Sequence, residues 1–139
     1  MLMYKKISLF FAFAVLLLAS CTMVKGGSKR TVMVTIEPLR YFVEAIAGNR
    51  FDVKTMVPIG GNPETYEPTA QQMIELSHSD LYVKVGSIGF EQTWMKRLKA
   101  NAPHTIIIDS SEGIEPIEST DGVPDPHTWM SCKNAAIIA

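Results

Sequence analysis

A chain of 139 residues is the size of one domain, which excludes a large multidomain machine. With 47% hydrophobic and 19% charged residues, it is neither disordered nor of low complexity. Thirteen Lys+Arg against 14 Asp+Glu leave a formal charge of −1; no basic surplus exists to neutralise a phosphate backbone, so no nucleic-acid partner is expected. Two cysteines, Cys21 and Cys132, are too few for a disulfide scaffold or a thiolate zinc cluster.

The first residues read as an export signal. Lys5 and Lys6 precede an apolar run over residues 7–18 that only Ser8 interrupts. Its length suits a signal h-region and falls short of the roughly 20 residues that a membrane span requires. A buried core helix is the alternative, but a helix apolar on every face and placed behind two lysines is seldom core. The run ends in Leu18-Ala19-Ser20-Cys21, which resembles the bacterial lipobox. That resemblance implies a lipoprotein signal peptide over residues 1–20 and a lipid anchor on Cys21. Each acyl CH₂ buried in the bilayer contributes ~0.8 kcal/mol, so multiple chains hold the protein durably at the membrane. Residues 21–30 form a polar, glycine-containing tether, and residues 31–139 the folded lobe. The expected location is the bacterial cell envelope, outside the cytoplasm, in the periplasm or at the cell surface. With Cys21 acylated, Cys132 has no intrachain partner.

Beyond the tether, short β-branched runs alternate with helical stretches. Residues 31–36 (TVMVTI) read as a strand and 39–47 (LRYFVEAIA) as a helix closed by Gly48 and Asn49. Residues 52–57 (DVKTMV) read as a second strand running into the breakers Pro58, Gly60, Gly61 and Pro63. A helix over 69–77, with Thr69 as N-cap, leads to a third strand over 81–85. A helix over 91–99 and a fourth strand over 105–109 follow. An acidic loop then spans 110–125, and the chain turns helical again from Ser131. Four alternations predict an α/β fold: a four-stranded, mostly parallel sheet with covering helices. In such sheets ligands bind beyond the carboxyl ends of the strands. The final apolar stretch from Asn134 has no charged last turn and no glycine stop, which reads as a fragment of a longer chain.

Two loops carry candidate chemistry. In residues 60–68 (GGNPETYEP), Pro63 and Pro68 restrict the backbone on either side of Glu64, so its carboxylate is aimed at a fixed place. An ordinary turn with solvated glutamates is the plainer reading of this loop alone. In residues 125–129 (DPHTW), His127 follows a proline, and Asp125 is available to fix its tautomer. A capping or surface histidine is the plainer reading there. His78 and His104 read as a helix-end residue and a turn residue, and Cys132 as a free thiol. Trp129, Tyr66 and Phe90 read as core or cleft-wall packing.

Taken together, four motifs resemble the solute-binding lipoproteins of bacterial ABC importers for zinc, manganese and related cations (the cluster A-I solute-binding family). They are Ile46-Ala47-Gly48 at the end of the first strand-and-helix unit, the loop Gly60-Gly61-Asn62-Pro63-Glu64-Thr65-Tyr66-Glu67-Pro68, the turn Gly86 to Glu91, and Asp125-Pro126-His127-Thr128-Trp129. The resemblance implies the N-terminal lobe of a two-lobed periplasmic-binding-type fold, with Glu64 and His127 as metal ligands and two further ligands from a second lobe. It implies a monomer that performs no covalent chemistry and delivers a divalent ion to an ABC permease. Zinc is the first expectation, with manganese and iron as alternatives. The chain departs from the family where a histidine usually stands: Glu64 is a harder donor than imidazole. The loop before the DPHxW element holds Glu112, Glu115, Glu118 and Asp121 rather than the histidines frequent in zinc-specific relatives. A surface adhesion or interaction lipoprotein reusing the scaffold is the rival reading; a neighbouring permease gene and induction by metal starvation would separate the two. A metal-dependent hydrolase would need an open coordination position and a base, for which Glu67 is the only nearby candidate.

Overall fold

The computed structural model describes residues 29–118, 122 and 124–139. The expected signal peptide, Cys21, the tether up to residue 28, and Asp121 of the acidic loop lie outside the described residues. Among the described residues no helix is long and apolar enough to cross a membrane.

Four strands, β1 (Arg30–Val34), β2 (Phe51–Thr55), β3 (Leu81–Lys84) and β4 (Ile106–Asp109), form one sheet in the order β2-β1-β3-β4. All three pairings are parallel, with Val32 opposite both Val53 and Leu81. This is the α/β architecture expected from the alternation. Val32, Met33 and Val34 are buried in succession on both faces, as a central parallel strand requires. At the edge, β4 leaves Ile106 and Ile108 exposed while Ile107 packs against the core.

The helices are α1 (Glu37–Ala47), α2 (Ala70–Ser77), α3 (Gly89–Asn101) and α4 (Cys132–Ile138), with short 3₁₀ turns at Gly48–Arg50 and Thr128–Met130. Pro38 in the first turn of α1 loses only an amide that has no intrahelical partner, and Gly48 closes that helix at φ 59°. A capping box starts α2: Gln72 N donates to Thr69 Oγ1 at 3.2 Å, and Thr69 N donates to Gln72 Oε1 at 2.9 Å. Leu39, Leu76, Phe90 and Leu98 from the helices close over Met33, Met56 and Tyr82.

Because β1 lies between β2 and β3, the chain first steps outward to β2 and then returns across β1. A crevice therefore opens between the carboxyl ends of β1 and β3. Glu91, in the first turn of α3, fills it with only 4% of its surface exposed. Its Oε1 accepts Thr35 Oγ1 and Val85 N, both at 2.6 Å, and its Oε2 accepts Gly86 N at 2.7 Å. Thr35 spends its one proton on Glu91, so Tyr82 OH is the donor in its 2.8 Å bond to Thr35 Oγ1.

Burial pushes the Glu91 carboxyl above its ordinary value and outweighs the hydrogen bonds from Thr35, Gly86 and Val85. A raised native pKa means the folded state holds the proton more firmly than the unfolded chain. The associated stabilisation is complete below the unfolded value of 4.5 and is lost as pH rises through the native one. In urea unfolding series, the stability of the parent chain relative to Glu91→Gln is expected to decline as pH rises from about 4.5. A difference that grows with pH would contradict this sign.

Candidate metal centre

The loop after β2 is held from both sides. Gly61 N donates to Pro58 O at 2.9 Å, and Asn62 Oδ1 accepts Glu64 N at 2.9 Å, an Asx turn that sets the direction of the next residue. On one flank, Tyr66 packs against Phe90 and its hydroxyl donates to Gln72 Oε1 at 2.9 Å, while Gln72 Nε2 donates to Met56 O at 2.6 Å. On the other flank stands the start of α3, whose first amides lack intrahelical acceptors. Phe90 N donates to Pro63 O at 2.9 Å, and Gly89 N donates to Glu64 Oε2 at 2.8 Å. A Cβ at position 89 would stand 2.5 Å from Glu64 Oε2 and 2.8 Å from Glu64 O, so the approach requires glycine. Glu64 is exposed, and its Oε1 receives no hydrogen bond among the described residues.

The second loop is a local construction. Asp125 Oδ1 accepts the His127 amide at 2.9 Å and lies 2.7 Å from His127 Nδ1. The backbone amide and then the ring of His127 hold the Asp125 carboxyl below its usual range. An ionised carboxylate only accepts, so Nδ1 carries the proton and the Nε2 lone pair is free. The Trp129 ring, 5.3 Å from the imidazole between centroids, supports its other side.

The two loops meet. His127 and Trp129 line a cleft of about 290 Å³ together with Gly61 and Pro63 from the loop after β2 and Ile36 and Glu37 from the turn after β1. Turns after β1, β2 and β4 thus border one opening at the carboxyl edge of the sheet, and the β3–α3 turn joins them through Gly89 and Glu64. His78 and His104 precede β3 and β4, at the opposite edge, and both are exposed. Cys132 is an exposed free thiol at the start of α4. Among the described residues no three His, Cys, Asp or Glu side chains cluster tightly enough to hold a metal ion. His127 lines the cleft and Glu64 stands on the loop that borders it; an imidazole nitrogen and a carboxylate oxygen are donor types suited to borderline and harder divalent cations.

Sequence reasoning did not single out Gly89, Asn62 or Thr35, and treated Glu91 only as part of a motif. For Glu91 a signal existed: an acid in the first turn of a helix that follows a strand faces unpaired backbone amides.

The family described as zinc-uptake complex component A, periplasmic, matches residues 32–139. The manganese-binding lipoprotein MntA of Halalkalibacterium halodurans is 33% identical over 79% of this chain and 36% of its own length. The iron ABC transporter substrate-binding lipoprotein MtsA of Streptococcus pyogenes is 33% identical over 99% of this chain and 49% of its own. Among solved structures, a crystal structure of ZnuA superposes with a TM-score of 0.73 at 40% identity, covering 78% of this chain and 42% of that one. A manganese-bound periplasmic metal-binding protein from Candidatus Liberibacter asiaticus gives 0.70 at 32% identity, covering 79% and 42%. The chain spans less than half the length of these relatives. Over nearly all of its described residues, this chain belongs to the family of zinc-uptake component A.

Proposed function

We propose that this chain is the N-terminal metal-binding lobe of an extracytoplasmic solute-binding protein that captures a divalent transition-metal ion and delivers it to an ABC permease. The observation that carries the reading is the His127 imidazole, its tautomer fixed by Asp125, at a cleft bordered by the loop that bears Glu64. Glu64 Oε1 and His127 Nε2 are the two donors, and a second lobe completes the coordination shell. Relatives named for manganese and iron, and a solved ZnuA, support transport of such ions. Zn²⁺, Mn²⁺ and Fe²⁺ all accept one carboxylate and one imidazole, with Glu64 favouring the harder ions. The protein acts as a monomer, anchored to the membrane through lipid on Cys21, in the periplasm or at the cell surface. It binds and releases, and makes no covalent bond to its cargo.

Titration with Zn²⁺ and Mn²⁺ followed by elemental analysis tests the reading. A form extended to the length of the relatives is expected to bind one ion, and the 139-residue chain to bind weakly. Failure of the extended form to bind either ion, or full affinity after Glu64→Ala, would reject it.

A further inference from the structure

Glu91 is buried, accepts three hydrogen bonds, and has no part in binding as described above. Its two oxygens join three elements: the end of β1 through Thr35, the end of β3 through Val85 and Gly86, and the first turn of α3, on which Glu91 itself stands. The two residues immediately before it, Gly89 and Phe90, supply the amides that hold Glu64 and Pro63. The start of α3 has no side-chain cap of its own, since Ile88 occupies the N-cap position. Its placement thus depends on the anchoring carboxylate within the first turn itself.

We infer that Glu91 is a positioning residue for the metal site: it fixes the first turn of α3, whose Gly89 amide in turn fixes the Glu64 carboxylate. The inference rests on the reading of Glu64 as a donor. The chain of contacts is short and continuous: carboxylate to strand-end amides, carboxylate to its own helix turn, and that turn to the Glu64 oxygen. In Glu91→Gln, the amide NH₂ faces donors wherever the second carboxylate oxygen stood, and at least one of the three bonds is lost. The turn then loses its register against the strand ends, and Gly89 no longer meets Glu64 squarely.

The test uses backbone amide NMR of the metal-free chain together with Zn²⁺ titration of the extended form. Glu64→Ala defines the Gly89 signal of a free amide. Glu91→Gln is expected to shift Gly89 toward that signal, to speed hydrogen exchange at Gly89 and Phe90 about tenfold, and to weaken Zn²⁺ binding roughly 10–100-fold, the range seen when partners of ligands are removed. Tyr82→Phe, which spares all three bonds to Glu91, is expected to leave the Gly89 signal and the affinity unchanged. If Glu91→Gln does not fold, Thr35→Val removes one donor and keeps the carboxyl group; changes in the same direction are expected. A Glu91→Gln or Thr35→Val protein that loses stability but keeps the parent Gly89 signal and the parent affinity overturns the inference. Should Glu64→Ala itself leave Zn²⁺ affinity unchanged, the donor reading fails, and the Gly89 signal alone still decides whether Glu91 positions the turn.

Discussion

Replacing His127 by alanine is expected to weaken the site of the extended protein by more than about 100-fold, beyond the range for residues that only orient a ligand. Among the described residues that line the cleft, His127 alone carries an imidazole, and its Nδ1 bond to Asp125 leaves Nε2 as the nitrogen available to a cation. No other histidine can substitute, because His78 and His104 lie at the far edge of the sheet. Asp125→Ala separates orientation from ligation: the nitrogen remains but its tautomer and direction are released, and a loss of about 10–100-fold is expected. Competition titrations against a chromophoric chelator measure both variants. Equal, small losses in the two would show that His127 is not a donor.

Gly89→Ala is the second substitution with a large expected effect. Alanine is the better helix former by about 1 kcal/mol, and position 89 has no left-handed φ, so local propensity alone predicts stabilisation. The surroundings oppose it. The added carbon would lie 2.8 Å from the Glu64 carbonyl oxygen and 3.1 Å from its Cα, backbone atoms that cannot rotate aside as the carboxylate can. Overpacking of this kind costs about 1–3 kcal/mol, so the net change in urea unfolding is expected to be a loss of stability. The bonds of Gly89 to Glu64 and of Phe90 to Pro63 part together, and metal affinity falls with them. A Gly89→Ala protein as stable as its parent and with the same affinity would show that the loop does not rest on α3.

The alternation of strands and helices was legible because β-branched runs and helical stretches are local properties. Each observed strand begins within one residue of its expected start, and Thr69 caps the following helix as its residue type led one to expect, with the reciprocal bond to the Gln72 side chain added by the structure. The start of α3 was less legible. Gly89 and Ile88 carry no capping signal, and the helix begins two residues ahead of expectation because distant groups, the Glu64 carboxylate and the Pro63 carbonyl, take its first amides. The same contrast divides the site. Asp125 and His127 are two positions apart, and their bond could be foreseen from that spacing. The bond from Gly89 to Glu64 spans 25 positions, and the return of the chain across β1 brings its ends together. Glu91 was hidden for a related reason: its partners Thr35 and Val85 directly follow different strands, and strand order is not written in any short segment.

The loop bearing Glu64 is braced by an Asx turn, two prolines, a tyrosine hydroxyl and two helix amides. So stiff a mount has a kinetic corollary. A donor on a floppy arm can peel off first and let cargo escape by stages, whereas one that is already seated spends little entropy on capture and has no independent route of retreat. On the proposed reading of Glu64 as a donor, unloading falls to whatever opposes this half of the shell: the ion departs when the far side opens, in a single stroke, and dwell time is set by that opening.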